Sequence, residues 1–484
     1  MATKRPVSKS FEENIAYLQK ALRVDDSFDV IHHKLVYADR KFGLFFVDGF
    51  TKDDVMLQIM RDLGRLEPRD LRHDPIDVLM QKKIPYIEVE TTQDIENVIK
   101  QVLSGQAAFI IEDTDTAILL DVRTYPVRSP DEPDTERVVR GPRDGFVETL
   151  VFNTALIRRR IRDRSLVMDY LQVGRRSKTD IVVSYVDSIV DKELVKRIKK
   201  GLQNIEPDGL SMGEKTIEEY IFGRHLNPYP VVRYTERPDT ASTHLLEGHV
   251  LIVVDGTPGV MICPTTFWQH LEHAEEYRQK PLVGAFLRWV RFAAVLASLF
   301  LLPLWYIYAT NTELLVERWQ FIGPEKVGHV SLIWQFLIAE VGLEVLRMAA
   351  IHTPNALATA LGLVAAILIG EVAIEVGLFS YEVILYVAIA ATSTFATPSY
   401  ELSLANRLFR IFFLLAGAFF GIWGLVVSIL FWLITLTSTK TLNAPYLWPF
   451  IPFNGKAMLQ VLFRSPVPLK RERPDILNVS DKDK

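Results

Sequence analysis

A single cysteine, Cys263, stands in 484 residues, which excludes a disulfide framework and a multi-thiolate metal site. Its simplest reading is a small buried hydrophobe at a strand end. Excess positive charge is missing as well. With 55 Lys+Arg against 59 Asp+Glu the net charge is −4, so no nucleic-acid partner driven by overall charge is expected. The first ten residues lack the apolar core of a signal peptide, which places the first 280 or so on the cytoplasmic side. The most telling shortage is local. Residues 285–437 hold only 16 charged residues in 153, none of them Asp, although 24% of the whole chain is charged. A protein wholly surrounded by water is excluded, and an apolar fraction of 49% excludes disorder.

What is present divides in two. Up to about residue 284 the pattern is α/β. Residues 11–65 predict helix, strand and helix, with the apolar run Phe42, Leu44, Phe45, Phe46 and Val47 as the strand. A Pro-containing stretch from Arg65 to Tyr86 predicts a connection between two sub-domains. Further on, 91–103 reads as a helix and 106–111 with 117–121 as a strand pair. Residues 123–144 read as a loop and 145–163 as an amphipathic helix. Ile181–Val186 and Pro228–Tyr234 read as strands, and Val250–Val254 with Val260–Cys263 flank Asp255-Gly256 as a hairpin. The expected fold is an α/β cytoplasmic region of two sub-domains, 1–67 and 68–284. An α-helical multi-pass membrane domain, 285–439, and a cytoplasmic tail, 440–484, follow.

Three features of the α/β part resemble functional motifs. Gly209-Leu-Ser211-Met-Gly213 matches a hydrolase nucleophile elbow, but a helix end and a polar loop precede it where a buried strand is required. Ser211 is read as a loop residue. The basic run Arg158, Arg159, Arg160, Arg162 and Arg164, with Arg175 and Arg176, is read as a solvated or inter-subunit salt-bridging face, with attraction of anionic lipid as the alternative. His32, His33, His270 and His273 lack partners at metal spacing, and Gly323 with Gly328 fails as a phosphate loop because His329 stands where Lys is needed. No catalytic constellation, metal or cofactor is expected.

In the apolar part, 292–312, 348–370, 383–400 and 411–439 are long and charge-free enough to cross a bilayer of about 30 Å. The last is longer than one crossing needs, and its Gly417 and Gly421 read as a small face for close helix packing. Residues 330–347 differ, because Glu340, Glu344 and Arg347 interrupt an otherwise apolar helix as membrane-embedded charges. Basic residues before the first and after the last stretch place both termini in the cytoplasm, with four full crossings and one partial element. Within 355–380, Gly362 and Gly370 belong to a small-residue packing stripe. Val364 and Leu368, then Glu371 and Glu375, share another face. This face is predicted to line a pore, the apolar pair as a constriction and the acidic pair as a vestibule that gathers cations.

Several stretches resemble the A subunits of the GerA family of spore-germination complexes. Gly141-Pro-Arg-Asp-Gly-Phe-Val-Glu-Thr-Leu-Val-Phe-Asn153 is one, and Thr235-Glu-Arg-Pro-Asp239 with Val254-Asp-Gly-Thr-Pro258 is another. Glu344 with Leu346-Arg347, Gly370, Ala373 to Glu375, and Asn443-Ala-Pro-Tyr-Leu-Trp-Pro-Phe-Ile-Pro452 continue the likeness. The resemblance implies a multi-pass protein of the spore inner membrane, assembled with its own copies as a pentameric ring around a path for monovalent cations. It implies a further small spore membrane protein as partner. Met348 and Glu371 depart from the family pattern, and both change charge inside the membrane. The alternative function is a non-conducting membrane scaffold that docks germination signalling partners through residues 1–280.

Overall fold

The structure is a computed structural model, and it describes residues 5–72, 74–84, 88–123, 136–223, 226–311, 322–325, 328–352, 372–469 and 472–483. The first α/β unit runs through α1 (Phe11–Leu22), β1 (Val30–Tyr37), β2 (Arg40–Val47), α2 (Asp53–Leu63), β3 (Val89–Thr92), α3 (Ile95–Leu103), β4 (Ala107–Ile111) and β5 (Ala117–Leu120). The strands form one sheet in the order β1-β2-β4-β5-β3, every neighbouring pair antiparallel. The single strand expected near residue 42 is thus half of a hairpin. Its partner, β1, escapes notice because His32, His33 and Lys34 break the apolar alternation. The boundary expected at 67/68 falls inside this sheet, since β2 pairs with β4 across it.

A second unit repeats the plan. It comprises α4 (Leu150–Arg160), β6 (Leu166–Val173), β7 (Thr179–Val186), α5 (Lys192–Gln203), α6 (Gly213–Phe222), β8 (Arg233–Thr235), α7 (Pro238–Glu247), β9 (Val250–Val254) and β10 (Val260–Cys263). Its sheet order, β6-β7-β9-β10-β8, is the first sheet's order shifted by five strands. The entry to each unit carries the same clasp. Buried Asn14, fourth residue of α1, bonds both backbone groups of Ser8, at 3.0 and 2.5 Å. Buried Asn153, fourth residue of α4, does the same to Val147, at 2.8 and 2.5 Å. A backbone pair satisfied by one side-chain amide fixes how the chain enters the helix.

The two units are riveted together. Arg158, fully buried, donates to Asp29 at 2.8 and 3.1 Å and to the Ser27 hydroxyl at 3.2 Å, and Phe28 N–H donates to the Met168 carbonyl. One member of the basic run therefore faces inward rather than solvent or another subunit. Arg160 likewise pairs with Asp144 inside the chain, and Arg175 with Asp208. Cys263 is buried at the end of β10, and burial pushes its thiol up to about 12.

The helical part contains α8 (Pro281–Thr310), α9 (Leu332–His352), α10 (Tyr381–Phe395) and α11 (Tyr400–Ser438), and then α12 (Gly455–Leu462). The expected start of this part, 285, lies inside α8. Among the described residues α8 and α11 are long and apolar enough to cross a membrane, with mean hydropathies of 1.9 and 2.3. Yet α11 is not one rod. Gly421 has φ 61° and ψ −148°, a backbone open to glycine and costly for other residues. The chain folds back there: the rings of Phe412 and Phe431 lie 5.8 Å apart, where an unbroken helix would separate those residues by about 28 Å. Gly421 is thus a turn rather than a packing face, and a Cβ on it would meet nothing within 4 Å. Gly417 does sit at a contact, its Cβ position 3.2 Å from Ile307.

Helix α9 runs antiparallel to α8. Phe336 meets Trp305 and Tyr306, while Glu340, one turn on, reaches the level of Ser298. The bundle core continues without a break into the second α/β unit through Tyr229, Phe267, Leu271 and Tyr446. The tail returns as well: Leu477 and Val479 are buried in the second unit's core, and Ser480 N–H donates to the Ile189 carbonyl.

Candidate functional site: a buried charge ladder in the helix bundle

Helical periodicity puts Glu340, Glu344 and Arg347 on one side of α9, at four- and three-residue spacing. The facing arm of α11, 400–420, supplies Arg407 and Arg410, three residues apart. Arg410 and Glu340 are 0% and 2% exposed, and their Nη2–Oε2 distance is 2.8 Å. The same guanidinium donates to the Ser298 carbonyl at 2.5 Å and to the Thr394 hydroxyl at 3.3 Å, which ties α8 and α10 to the pair. One turn nearer the α/β units, Arg407 pairs with Glu344 and stands 3.8 Å from Glu340. Arg347 pairs with Glu344 and lies 5.1 Å from the centre of the Tyr400 ring.

The result is a ladder about 10 Å long that runs from mid-bundle toward the α/β units. Three guanidinium groups face two carboxylates, so it carries one excess positive charge. Charges removed from water are tolerated only when paired and hydrogen-bonded, and here the pairing is incomplete. Glu340 Oε1 and the Nε atoms of Arg347, Arg407 and Arg410 are buried without a hydrogen-bond partner among the described residues. Sequence reasoning found the α9 half of the ladder and missed Arg407 and Arg410, which fall between the apolar stretches 383–400 and 411–439. The available signal was the match between a Glu-x3-Glu step and an Arg-x2-Arg step on two apolar helices.

The other predicted site residues are dispersed. Glu375 is exposed, in a short turn beside Gly377, whose carbonyl accepts from His329 N–H at the start of α9. That is the bundle end remote from the α/β units, and Glu375 does not join the ladder. Val364, Leu368, Glu371, Gly362 and Gly370 lie outside the described residues. Among the described residues no group of three or more His, Cys, Asp or Glu could hold a metal. Ser211 sits in an exposed turn leading into α6, not on a strand-to-helix elbow.

A second junction couples the ladder's neighbourhood to the α/β units. Tyr229 is buried between the two arms of α11, stacked on Phe409 at 5.4 Å. Its hydroxyl donates to Asn406 Oδ1 at 3.0 Å in one arm and accepts from Trp432 Nε1 at 2.5 Å in the other. Asn227 adds a bond to Thr439 at 2.6 Å. A short loop of the second unit therefore clasps the open end of the α11 hairpin.

Residues 16–476 match the family described as Bacillus/Clostridium GerA spore germination protein. The chain is 48% identical to stage V sporulation protein AF of Bacillus subtilis (strain 168), over 96% of this chain and 94% of that one. It is 29% identical to spore germination protein KA of the same organism, over 99% and 89% of the two chains. A solved structure, the N-terminal domain of the A subunit of the Bacillus megaterium spore germinant receptor GerK3, is similar over 55% of this chain and 98% of that one. The identity is 22% and the TM-score 0.43. With the match spanning both α/β units, the ladder and the tail, the chain belongs to the GerA family of spore germination proteins.

Proposed function

We propose that this membrane-associated germination protein is one subunit of a homo-oligomer that conducts monovalent cations across the spore inner membrane. The observation that carries the reading is the ladder. Ionisable groups inside an apolar bundle are costly and persist where an ion path or a moving element uses them. In this bundle they are paired across α9 and α11 and leave one excess positive charge, which opposes passage of a cation through the middle of a single subunit. The path is therefore assigned to the junction between copies. Segment 355–377 faces it, with Val364 and Leu368 as the constriction and Glu371 and Glu375 as the acidic vestibule. The exposure of Glu375 supports that placement. The ladder then locks α9 to the α11 hairpin, and the Tyr229 clasp conveys movements of the α/β units to it. Both termini lie in the cytoplasm, in keeping with the tail's return to the second unit. Another small spore membrane protein is the expected partner, and no catalysis is assigned.

A non-conducting scaffold is the second reading. It is favoured by the exposed apolar side chains Met212, Tyr220 and Leu226 around α6, which offer a surface to a partner. Potassium release from liposomes containing the purified full-length chain separates the two. Flux above that of protein-free liposomes supports conduction, and a correctly assembled protein without flux supports the scaffold.

A further inference from the structure

The apolar surface of α8 begins earlier than its charge-free run. Leu282, Phe286 and Trp289 follow one another at four- and three-residue spacing and are exposed, at 83%, 65% and 46%. The same stripe continues through Leu296 to Leu304, both exposed. Arg288 and Arg291, which end the apolar run in the sequence, point to the opposite side. There they share the buried carboxylate of Glu276, and Arg288 also donates to the carbonyls of Gln460 and Val461 at 3.0 and 2.8 Å. These two arginines face protein rather than the surroundings. From Leu282 to Leu304 the stripe spans about 33 Å of helix, close to the roughly 30 Å of a hydrocarbon core.

The segment after the bundle extends this surface sideways. Helix α12 lies against α8, with the rings of Trp289 and Phe463 5.9 Å apart. Its inner residues Ala457, Gln460 and Val461 help to line a cleft of about 670 Å³ shared with α7 and Arg288. Its outer side is apolar and uncovered, with Phe453, Leu459 and Phe463 all more than half exposed. Lys280 and Lys456 are exposed at its margin, Lys456 paired with Glu472, whereas Arg464 turns inward onto the carbonyls of Tyr277 and Gln279. The segment is held at both ends, by buried Tyr446 before it and by Leu477 and Val479 after it. An amphipathic element with an aromatic apolar side and a basic margin has the composition of one that lies in a lipid–water interface.

We propose that the first turns of α8 and residues 451–463 form a shelf seated in the phospholipid leaflet on the side of the α/β units. The inference rests on the reading that the bundle spans a membrane. Lipid, rather than a protein partner, is the assigned occupant for two reasons. The shelf is continuous with the outward stripe of α8, and the exposed ammonium groups of Lys280 and Lys456 at its edge complement anionic headgroups.

The test uses the full-length chain with Cys263→Ala, reconstituted in lipid nanodiscs, and a bimane fluorophore on one introduced cysteine. Positions Phe453→Cys and Phe463→Cys probe the shelf. Leu430→Cys reports on the bundle, and exposed Val139→Cys reports on an α/β unit. The lipid environment should blue-shift the probes at 453, 463 and 430. Lipids brominated near the headgroup end of the acyl chain should quench those at 453 and 463, lipids brominated deeper in the chain should quench that at 430, and neither should affect that at 139. Quenching at 430 with none at 453 and 463 would overturn the shelf while leaving the membrane reading intact. No quenching at 430 would remove the membrane reading itself. Copy-to-copy cross-linking at 463 in place of quenching would show a second subunit on the surface and also overturn the proposal.

Discussion

Removal of one member of the buried pair Glu340–Arg410 should destabilise the chain far more than removal of both. In Glu340→Leu, Arg410 would keep only the Ser298 carbonyl and the Thr394 hydroxyl, with no carboxylate at its 2.8 Å position. In Arg410→Met, Glu340 would keep only Arg407, 3.8 Å away. Breaking a buried pair in this way costs about 3–5 kcal/mol, whereas replacing both partners with apolar groups is often neutral or stabilising. Each single variant should therefore lower the folded-to-unfolded ratio by about two to four orders of magnitude. The double variant should recover most of that loss. Helical circular dichroism of the full-length chain, titrated with SDS in mixed micelles, reads all three free energies. Two results would refute the reasoning: single variants within about 0.5 kcal/mol of the parent, or a double variant at the sum of the singles.

Other consequences are independent of the ladder. In a Cys263→Ala background, cysteines at Phe412 and Phe431 should be joined by a short bifunctional thiol cross-linker, because the α11 hairpin brings the parent rings within 5.8 Å; a straight helix, with about 28 Å between the two positions, would give no such link. His249 and His270 are buried and neutral, their pKa values pushed down to about 3 by burial. Since the folded values lie below the unfolded value of about 6.5, the unfolded chain gains protons first as pH falls. Stability should drop by about 2 kcal/mol per histidine between pH 7 and pH 5, and His270→Gln should remove its share. Arg158→Met should cost about 3–5 kcal/mol in thermal unfolding, because it strands Asp29 between the two α/β units.

Much of the secondary structure was legible. The Asp255-Gly256 hairpin, the β4–β5 pair and the apolar helices follow from alternation, turn residues and missing charge. The duplication of the α/β unit was not. It lies in strand order and in the Asn14 and Asn153 clasps, neither of which leaves a mark in composition or periodicity. The division at 67/68 failed for the same reason, since sheet pairing across a long connection leaves no local mark. The α11 hairpin was hidden because no proline or charge interrupts 411–439, and Gly421 is equally suited to packing and to turning. Arg407 and Arg410 gain their meaning only from partners some 60–70 residues away, on α9. Tyr229 was invisible as a clasp, because an aromatic residue beside prolines reads simply as the edge of a strand.

Cation flux through the assembled protein bears most directly on the central claim. The full-length chain would be purified, its assembly confirmed by mass, and potassium release followed from liposomes under an imposed gradient. The account predicts release by the parent, faster release by Val364→Ala or Leu368→Ala, and slower release by Glu371→Gln combined with Glu375→Gln. Equal flux from all of these in correctly assembled protein, or none from any of them, would contradict it.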